Sequence, residues 1–180
     1  HDRLYRMFVQ IGQNIAFSCN GFIFGKKLIT TKHGFHLTMK IKDQVVEEKR
    51  LYDNLMVQSS VSSTWMKDPF VEIPEGGGDL IYFPLRGVAS PQTVKLAVPK
   101  NGEAVWLIAY DNEKDALPAI SSGMINEEGY HTCPSIDGNC GGVVVNEQGE
   151  VVGFHQAGSK SINKCIPLTQ ALIQSLKQDF

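Results

Sequence analysis

No apolar run in the 180-residue chain approaches the ~20 residues that a membrane-spanning helix needs. The first twenty residues also lack the basic-then-apolar layout of a secretory leader. A soluble, non-secreted protein is therefore expected, with no membrane partner. Net charge is nearly absent: 17 Lys and Arg against 19 Asp and Glu leave -2, too little for the field that drives non-specific nucleic-acid or membrane binding. No Cys-x-x-Cys pair occurs among Cys19, Cys133, Cys140 and Cys165, and a domain of this size has no need of disulfides, so the thiols are expected to be reduced. The spacing of His131, Cys133, Cys140 and Cys165 fits no zinc finger, ribbon or knuckle, and no metal or other cofactor is expected. No Gly-Lys-Ser/Thr follows Gly76 to Gly78, which precede a strand, and this excludes P-loop and dinucleotide folds. The chain opens on His1 rather than Met, so it is expected to have been cut from something longer.

What is present is ordinary globular composition, with 42% hydrophobic and 20% charged residues, enough for one domain or two small lobes around a shared core. Most segments read as short strands. Met7 to Ile11, Asn14 to Cys19, Phe22 to Phe24 and Leu28 to Thr31 are apolar or β-branched runs, punctuated by Gly12, Gly21 and Gly25 too closely for helices. His36 to Lys42 alternates polar and apolar, as a half-buried strand does. Asp79 to Leu85, Thr93 to Val98, Ala104 to Ala109, Gly142 to Val145 and Glu150 to His155 continue the series. Only the end changes period: Leu168, Leu172, Ile173 and Leu176 recur at helical spacing, with Thr169 as cap and Lys177 in the last turn. Many strands with one terminal helix predict an all-β chain of paired barrels or a sandwich. The turn-rich stretch Arg86 to Pro91 predicts a lobe boundary near residue 90, giving lobes 1–90 and 91–180.

The densest chemical signal is Pro134-Ser135-Ile136-Asp137-Gly138-Asn139-Cys140-Gly141-Gly142. A cysteine between glycines on a tight loop presents its sulfur to a substrate while neighbouring N–H groups turn to the same point, forming a nucleophile beside an oxyanion hole. The competing reading is a glycine-rich turn around a buried cysteine. A thiol needs a base, and His33 sits directly after the apolar run Leu28 to Thr31; His36 is the competitor, ranked lower because it begins the next strand. Asp79 stands at the mouth of another apolar strand, where it can orient an imidazole or simply close a turn.

These motifs resemble the chymotrypsin-like cysteine proteases of positive-strand RNA viruses, including the 3C-type picornavirus proteases and the potyvirus NIa protease. Gly138-Asn139-Cys140-Gly141-Gly142 resembles their Gly-x-Cys-Gly nucleophile motif, and Gly153-Phe154-His155 their Gly-x-His pocket motif. Ile29 to His33 resembles the strand carrying the general base, and Asp79 to Leu85 the strand carrying the acid. The resemblance implies two six-stranded antiparallel barrels and a C-terminal helix. His33 and Asp79 then lie on the first lobe, with Cys140 and the S1 pocket on the second. It implies a polyprotein-processing thiol protease of the host-cell cytoplasm, with an oxyanion hole from Gly138, Asn139 and Cys140. It further implies that Ser135 and His155 bind the side-chain amide oxygen of a P1 glutamine, or less often glutamate. Ser135 departs mildly from the threonine common there, and Glu72 stands as the alternative acid.

His155 alone also reads as a satisfied core histidine. If it binds a neutral amide, a partner on its other nitrogen must fix its tautomer, and Tyr130 and His131 are the candidates. The rival function is an RNA-binding module on the same scaffold, since Lys26, Lys27, Lys32, Lys40, Lys42, Lys49 and Arg50 make the first half locally basic; a solvated lysine face is the simpler account.

Overall fold

The structure is a computed structural model and describes residues 3–11, 14–41, 44–50, 55–58, 63–65, 70–85, 94–111, 117–135, 139–158 and 163–178. The first half is antiparallel β. Strands β1 (Leu4–Ile11), β2 (Asn14–Phe24) and β3 (Lys27–Thr31) form a meander. The hairpin β4 (His36–Ile41) and β5 (Gln44–Arg50) follows, then β6 (Leu55–Gln58), β7 (Ser63–Trp65), β8 (Val71–Glu72) and β9 (Leu80–Pro84). These hydrogen-bond in the order β7-β6-β1-β2-β3-β9-β8, with β4 and β5 as a separate two-stranded sheet. Among the described residues this sheet is open, with the short strands β7 and β8 at its edges, and it does not close into the expected six-stranded barrel.

The second half does close. Strands β10 (Glu103–Ala109), β11 (Ala119–Ile125), β12 (Tyr130–His131), β13 (Val143–Asn146), β14 (Val151–Gly158) and β15 (Asn163–Pro167) form a barrel in the order β10-β11-β12-β15-β14-β13. The alternation is visible in β10, where Val105, Leu107 and Ala109 are buried and their neighbours only partly so, the period of two that a sheet with one filled face imposes. Closure leaves no edge strand to be protected.

The expected strand at Thr93 to Val98 is a correction. Thr93 lies outside the described residues, and the rest makes a single parallel bridge, Leu96 to Val151. The cause is competition for edges: β15 begins pairing with β14 at Gly153, so only the head of β14 is left to receive residues 95–97. The expected boundary at Arg86 to Pro91 lies outside the described residues.

One apolar cluster joins the halves. Phe22, Phe24, Ile29 and Leu80 from the first sheet pack with Val143, Phe154 and Leu168 from the barrel side, and the rings of Phe22 and Phe154 meet edge to face at 6.2 Å. Helix α1 (Gln170–Lys177) lies on this cluster through Leu172, Ile173 and Leu176. Its first turn is fixed by Thr169, whose hydroxyl accepts from the Leu172 N–H at 3.1 Å, relieving one of the unpaired donors of a helix start. Its last turn is held by Lys27, a buried lysine on β3. The Nζ group donates to the Leu176 carbonyl at 2.9 Å and to that of Gln178, and it stands over the Tyr82 ring.

An ammonium at the carbonyl end of a helix meets both orphan acceptors and the negative pole of the dipole. Lys27→Met keeps the aliphatic stem and leaves those carbonyls without a donor. It is expected to lower unfolding stability by roughly 1–3 kcal/mol, read as an earlier urea midpoint with unchanged slope.

Candidate active site

Register brings the first two candidate residues together. In the β3–β9 ladder Thr31 stands opposite Leu80, so the residues just beyond, one strand's exit and the other's entry, must meet. The Lys32 N–H donates to the Asp79 carbonyl at 2.7 Å, and the chain turns through a short 3-10 segment, Lys32–Phe35. The Asp79 carboxylate then receives two bonds from one residue: the His33 backbone N–H at 2.9 Å on Oδ1, and His33 Nδ1 at 2.7 Å on Oδ2. A carboxylate engaging both backbone and ring fixes the imidazole in place and leaves Nε2 for the cleft. Glu72 does not touch His33; it faces Lys32, with Oε1 2.5 Å from Nζ. Sequence reasoning missed a third donor to Asp79, the side-chain amide of Gln156, 3.2 Å from Oδ2. His36, the competing base, opens β4.

Cys140 comes from the other sheet. Its loop is held at the Cys140 carbonyl, which accepts from the Asn20 N–H at 2.8 Å, and at its exit, where the Gly141 N–H donates to His155 O at 2.8 Å and the His155 N–H to Gly142 O at 2.7 Å. Gly141 takes φ +81° and passes so close to β2 that a Cβ would lie 2.0 Å from the Asn20 carbonyl oxygen; only glycine satisfies both conditions. The Cys140 side chain rests on the cluster of Met7, Cys19, Leu28, Ile81 and Phe83, where the Cys19 thiol and His33 both act on its ionisation. Asn139 is buried, with its amide donating to the Tyr110 carbonyl at 3.1 Å. Gly138, expected in the oxyanion hole, lies outside the described residues.

A third group forms across three barrel strands. His131 (β12) stands opposite Asn163 (β15), and Asn163 opposite Gly158 (β14), while His155 faces Cys165. His131 Nδ1 accepts from the Cys133 N–H at 3.2 Å. A backbone N–H only donates, so the neutral His131 carries its proton on Nε2, which lies 3.1 Å from His155 Nδ1. That nitrogen must accept, and by elimination His155 holds its own proton on Nε2. His131, not Tyr130, is thus the partner that fixes the tautomer. Ser135 Oγ is 2.7 Å from Asn163 Oδ1. Of the basic residues, Lys27 and Lys32 are engaged as described and Lys26 is exposed.

The sequence pattern of the Gill-associated viral 3C-like peptidase family matches residues 87–176. The chain belongs to this family. Among solved structures, the 3C-like peptidase is similar to catalytically active tobacco etch virus protease complexed with product. The two share 20% identity over 98% of this chain and 77% of that one, with a TM-score of 0.72. Tobacco vein mottling virus protease is similar over 96% of this chain and 80% of its own at 16% identity and TM-score 0.68. The serine endoprotease of Yersinia pestis is similar over 92% and 58%, at 17% and 0.63. At such identities the likeness is one of fold, the chymotrypsin-like arrangement. A search of curated proteins found no match. The 3C-like peptidase is a viral cysteine protease.

The electrostatics of its site follow from the contacts. His33 is pushed up to about 10, first by the hydrogen bond to Asp79 and then by that to Cys140, against the opposing effect of burial. Burial pushes the Asp79 carboxyl up, but the His33 ring, its charge, its backbone N–H and the Gln156 amide together hold it below the ordinary value. The Cys140 thiol falls to about 5, through the Cys19 hydrogen bond first; burial opposes, and the bond to His33, its charge and the Thr31 hydroxyl add to the lowering. Cys19 moves the other way, its thiol raised by complete burial and by the anion beside it. The anion settles on Cys140 because only that sulfur adjoins the imidazolium. At neutral pH the resting state is a Cys140 thiolate facing a His33 imidazolium. His131 and His155 behave oppositely: burial is the first cause that lowers each to about 4, so both are neutral.

The thiolate exists above about 5 and the imidazolium below about 10, so kcat/KM is expected to be bell-shaped between those limits. Removing the Cys19 donor destabilises only the anion. In Cys19→Ala the acid midpoint of Cys140 alkylation is expected to rise by roughly one to two pH units, while Cys19→Ser, which keeps a donor, stays near the native midpoint. An unmoved midpoint in the alanine variant rejects the role of Cys19.

Proposed function

We propose that the chain is a polyprotein-processing endopeptidase that cuts after glutamine with Cys140 as nucleophile, His33 as acid and base, and Asp79 as its orienting group. The observation that carries this reading is the 2.7 Å hydrogen bond between Asp79 and His33, with His33 and Cys140 each moving the other's ionisation in opposite directions. The thiolate attacks the scissile carbonyl carbon, and the developing oxyanion is taken by backbone N–H groups of the 138–140 turn. His33 then gives its proton to the leaving amine, and the acyl-enzyme forms. Water enters, His33 removes its proton, and hydrolysis frees the thiolate. Because the thiolate is preformed, the acid serves to orient and charge-balance the imidazole rather than to make the nucleophile.

His155 Nε2–H, held in the donor tautomer by His131, is the S1 donor to the P1 side-chain carbonyl, with Ser135 as the second polar group. Its neutrality favours glutamine over glutamate. The same reading makes residues 1–90 the first barrel lobe and 91–180 the second. The open sheet β7-β6-β1-β2-β3-β9-β8 is then the body of the first lobe. Peptide segments of a viral polyprotein are the substrates, and the host cytoplasm the place of action.

Cys140→Ala is expected to abolish cleavage with an unchanged melt. Asp79→Asn is expected to lower kcat/KM on the order of a hundredfold, the scale of a disabled acid–base group, whereas Glu72→Gln changes it by no more than about twofold, as an exposed ion pair allows. The reverse ranking transfers the acid to Glu72. For the pocket, P1 profiling with a peptide library is expected to give sharp preference for glutamine, lost in His155→Ala. Equal cleavage after leucine and glutamine returns His155 to the core.

A further inference from the structure

The hydrogen-bond directions around Ser135 assign it a role opposite to that of a donor. Asn163 Nδ2 lies 2.6 Å from the Cys133 carbonyl oxygen, an atom that only accepts, so the amide NH2 must be at that end. Asn163 Oδ1 therefore faces Ser135 at 2.7 Å. A carboxamide oxygen only accepts, so the single proton of the Ser135 hydroxyl is committed to Asn163. What Ser135 offers to its other side is lone pairs. Asn163 is buried, which makes the bond expensive to leave unmade.

Gly158 supports the same arrangement from the neighbouring strand. A Cβ at this position would lie 2.2 Å from Asn163 Oδ1 and 2.6 Å from Ser135 Oγ. The two side chains have filled the space where any other residue would put its first carbon. The β14–β15 pairing sets Gly158 directly opposite Asn163, so this contact is a matter of register.

We infer that Asn163 is a specificity-determining positioning residue: by holding the Ser135 proton it makes S1 a pocket of one donor, His155, and one acceptor, Ser135, matched to a carboxamide and mismatched to a carboxylate. This rests on the reading of His155 and Ser135 as S1. A glutamine side chain presents its carbonyl oxygen to His155 Nε2–H and its NH2 to Ser135 Oγ, and every group is paired. A glutamate carboxylate satisfies His155 but sets its second oxygen against the Ser135 lone pairs. Rotating the hydroxyl to meet it strips Asn163 Oδ1 of its donor. Neither geometry accommodates the acid without leaving a buried acceptor unpaired or two acceptors opposed. Release of the proton by Asn163 would turn Ser135 into a second donor, and the pocket would then accept the carboxylate.

The test is kcat/KM for matched peptides that differ only in P1, glutamine or glutamate, at pH 7. The wild type is expected to favour glutamine by roughly ten- to a hundredfold, the scale of one unpaired buried group. In Asn163→Ala the freed hydroxyl donates to a carboxylate, so glutamate cleavage is expected to rise in absolute terms and the ratio to fall by about tenfold. A merely structural role would lower both substrates together. Gly158→Ala forces the Ser135–Asn163 pair apart while keeping both residues, and is expected to narrow the ratio in the same direction. It serves as the independent variant if Asn163→Ala fails to fold. Ser135→Ala is expected to lose glutamine cleavage without the gain on glutamate. If His155→Ala collapses P1 preference while Asn163→Ala and Gly158→Ala keep the wild-type ratio, the pocket stands and the inference falls. If the P1 profile is unmoved by His155→Ala, the S1 reading falls and takes the inference with it.

Discussion

The peptide N–H of Asn20 donates to the carbonyl of Cys140 at 2.8 Å, and through that bond two sheets that carry the candidate catalytic groups separately come into one frame. His33 and Asp79 belong to the first sheet by the β3–β9 register; Cys140 belongs to the barrel side. Asn20 is completely buried on β2 and uses every polar group it has. Its side-chain oxygen accepts from the Tyr110 N–H at 2.7 Å and its amide donates to the Tyr110 carbonyl at 3.1 Å, copying a strand's pairing across the lobe junction. Its own carbonyl accepts from Thr30 at 2.7 Å, and Gly141 packs over that carbonyl. A buried amide satisfied at all its groups is costly to displace, so the nucleophile loop can sit only one way against the first sheet. The shared apolar cluster of Phe22, Leu80, Phe154 and Leu172 holds the sheets together; Asn20 sets how they meet.

That frame explains how a thiolate survives on an apolar bed. Met7, Leu28, Ile81 and Phe83 line the cluster beneath Cys140, surroundings that raise a thiol's pKa when acting alone. Two neighbours reverse the sign: the Cys19 thiol first, and then the His33 imidazolium. Cys19 can play this part because its own sulfur is buried beyond reach of a counter-charge. Two thiols of similar intrinsic acidity are separated by environment into one anion and one donor, the same device by which paired titratable groups divide acid and base roles elsewhere.

The sequence made the candidate residues legible because each stands at a boundary with a local signature. His33 follows a β-branched run, Asp79 follows three glycines, and Cys140 is set between glycines. The barrel on the C-terminal side was legible through Ala104 to Ala109, where one face is filled and alternation is clean, and through the near-continuously buried apolar runs Gly142 to Val145 and Glu150 to His155. Strand β11 was not, because Ser121, Ser122 and Gly123 break the pattern and Ile120 and Met124 turn outward. Strands β12 and β15 escaped for a related reason: they are short and carry polar residues that are buried by their partners rather than by period. The supporting residues Cys19, Asn20, Gln156 and Asn163 left no local signal at all. Their roles depend on partners far away in sequence, and a single asparagine or cysteine inside a strand reads the same whether it holds a catalytic loop or nothing. His131 was visible as one of two candidates only because His155 demanded a partner; the choice over Tyr130 needed the Cys133 N–H, a fact of three-dimensional folding.

One strand reaches both side-chain clusters. Successive residues of β14 point to opposite faces, so His155 reaches into the barrel side against His131 while Gln156, next in line, reaches Asp79. A register shift between His155 and Ala157 adds the local bend that such re-aiming uses. The two sites then bias each other electrostatically. The charge on His33 lowers the proton affinity of His155 in addition to burial and His131, so the same imidazolium that balances the thiolate helps to keep His155 neutral. A neutral His33 would leave the thiolate without its partner. The opposite protonation states of His33 and His155 at neutral pH therefore have different origins: the hydrogen bond to Asp79 charges the first ring, and burial, with His131 and the His33 charge adding to it, neutralises the second.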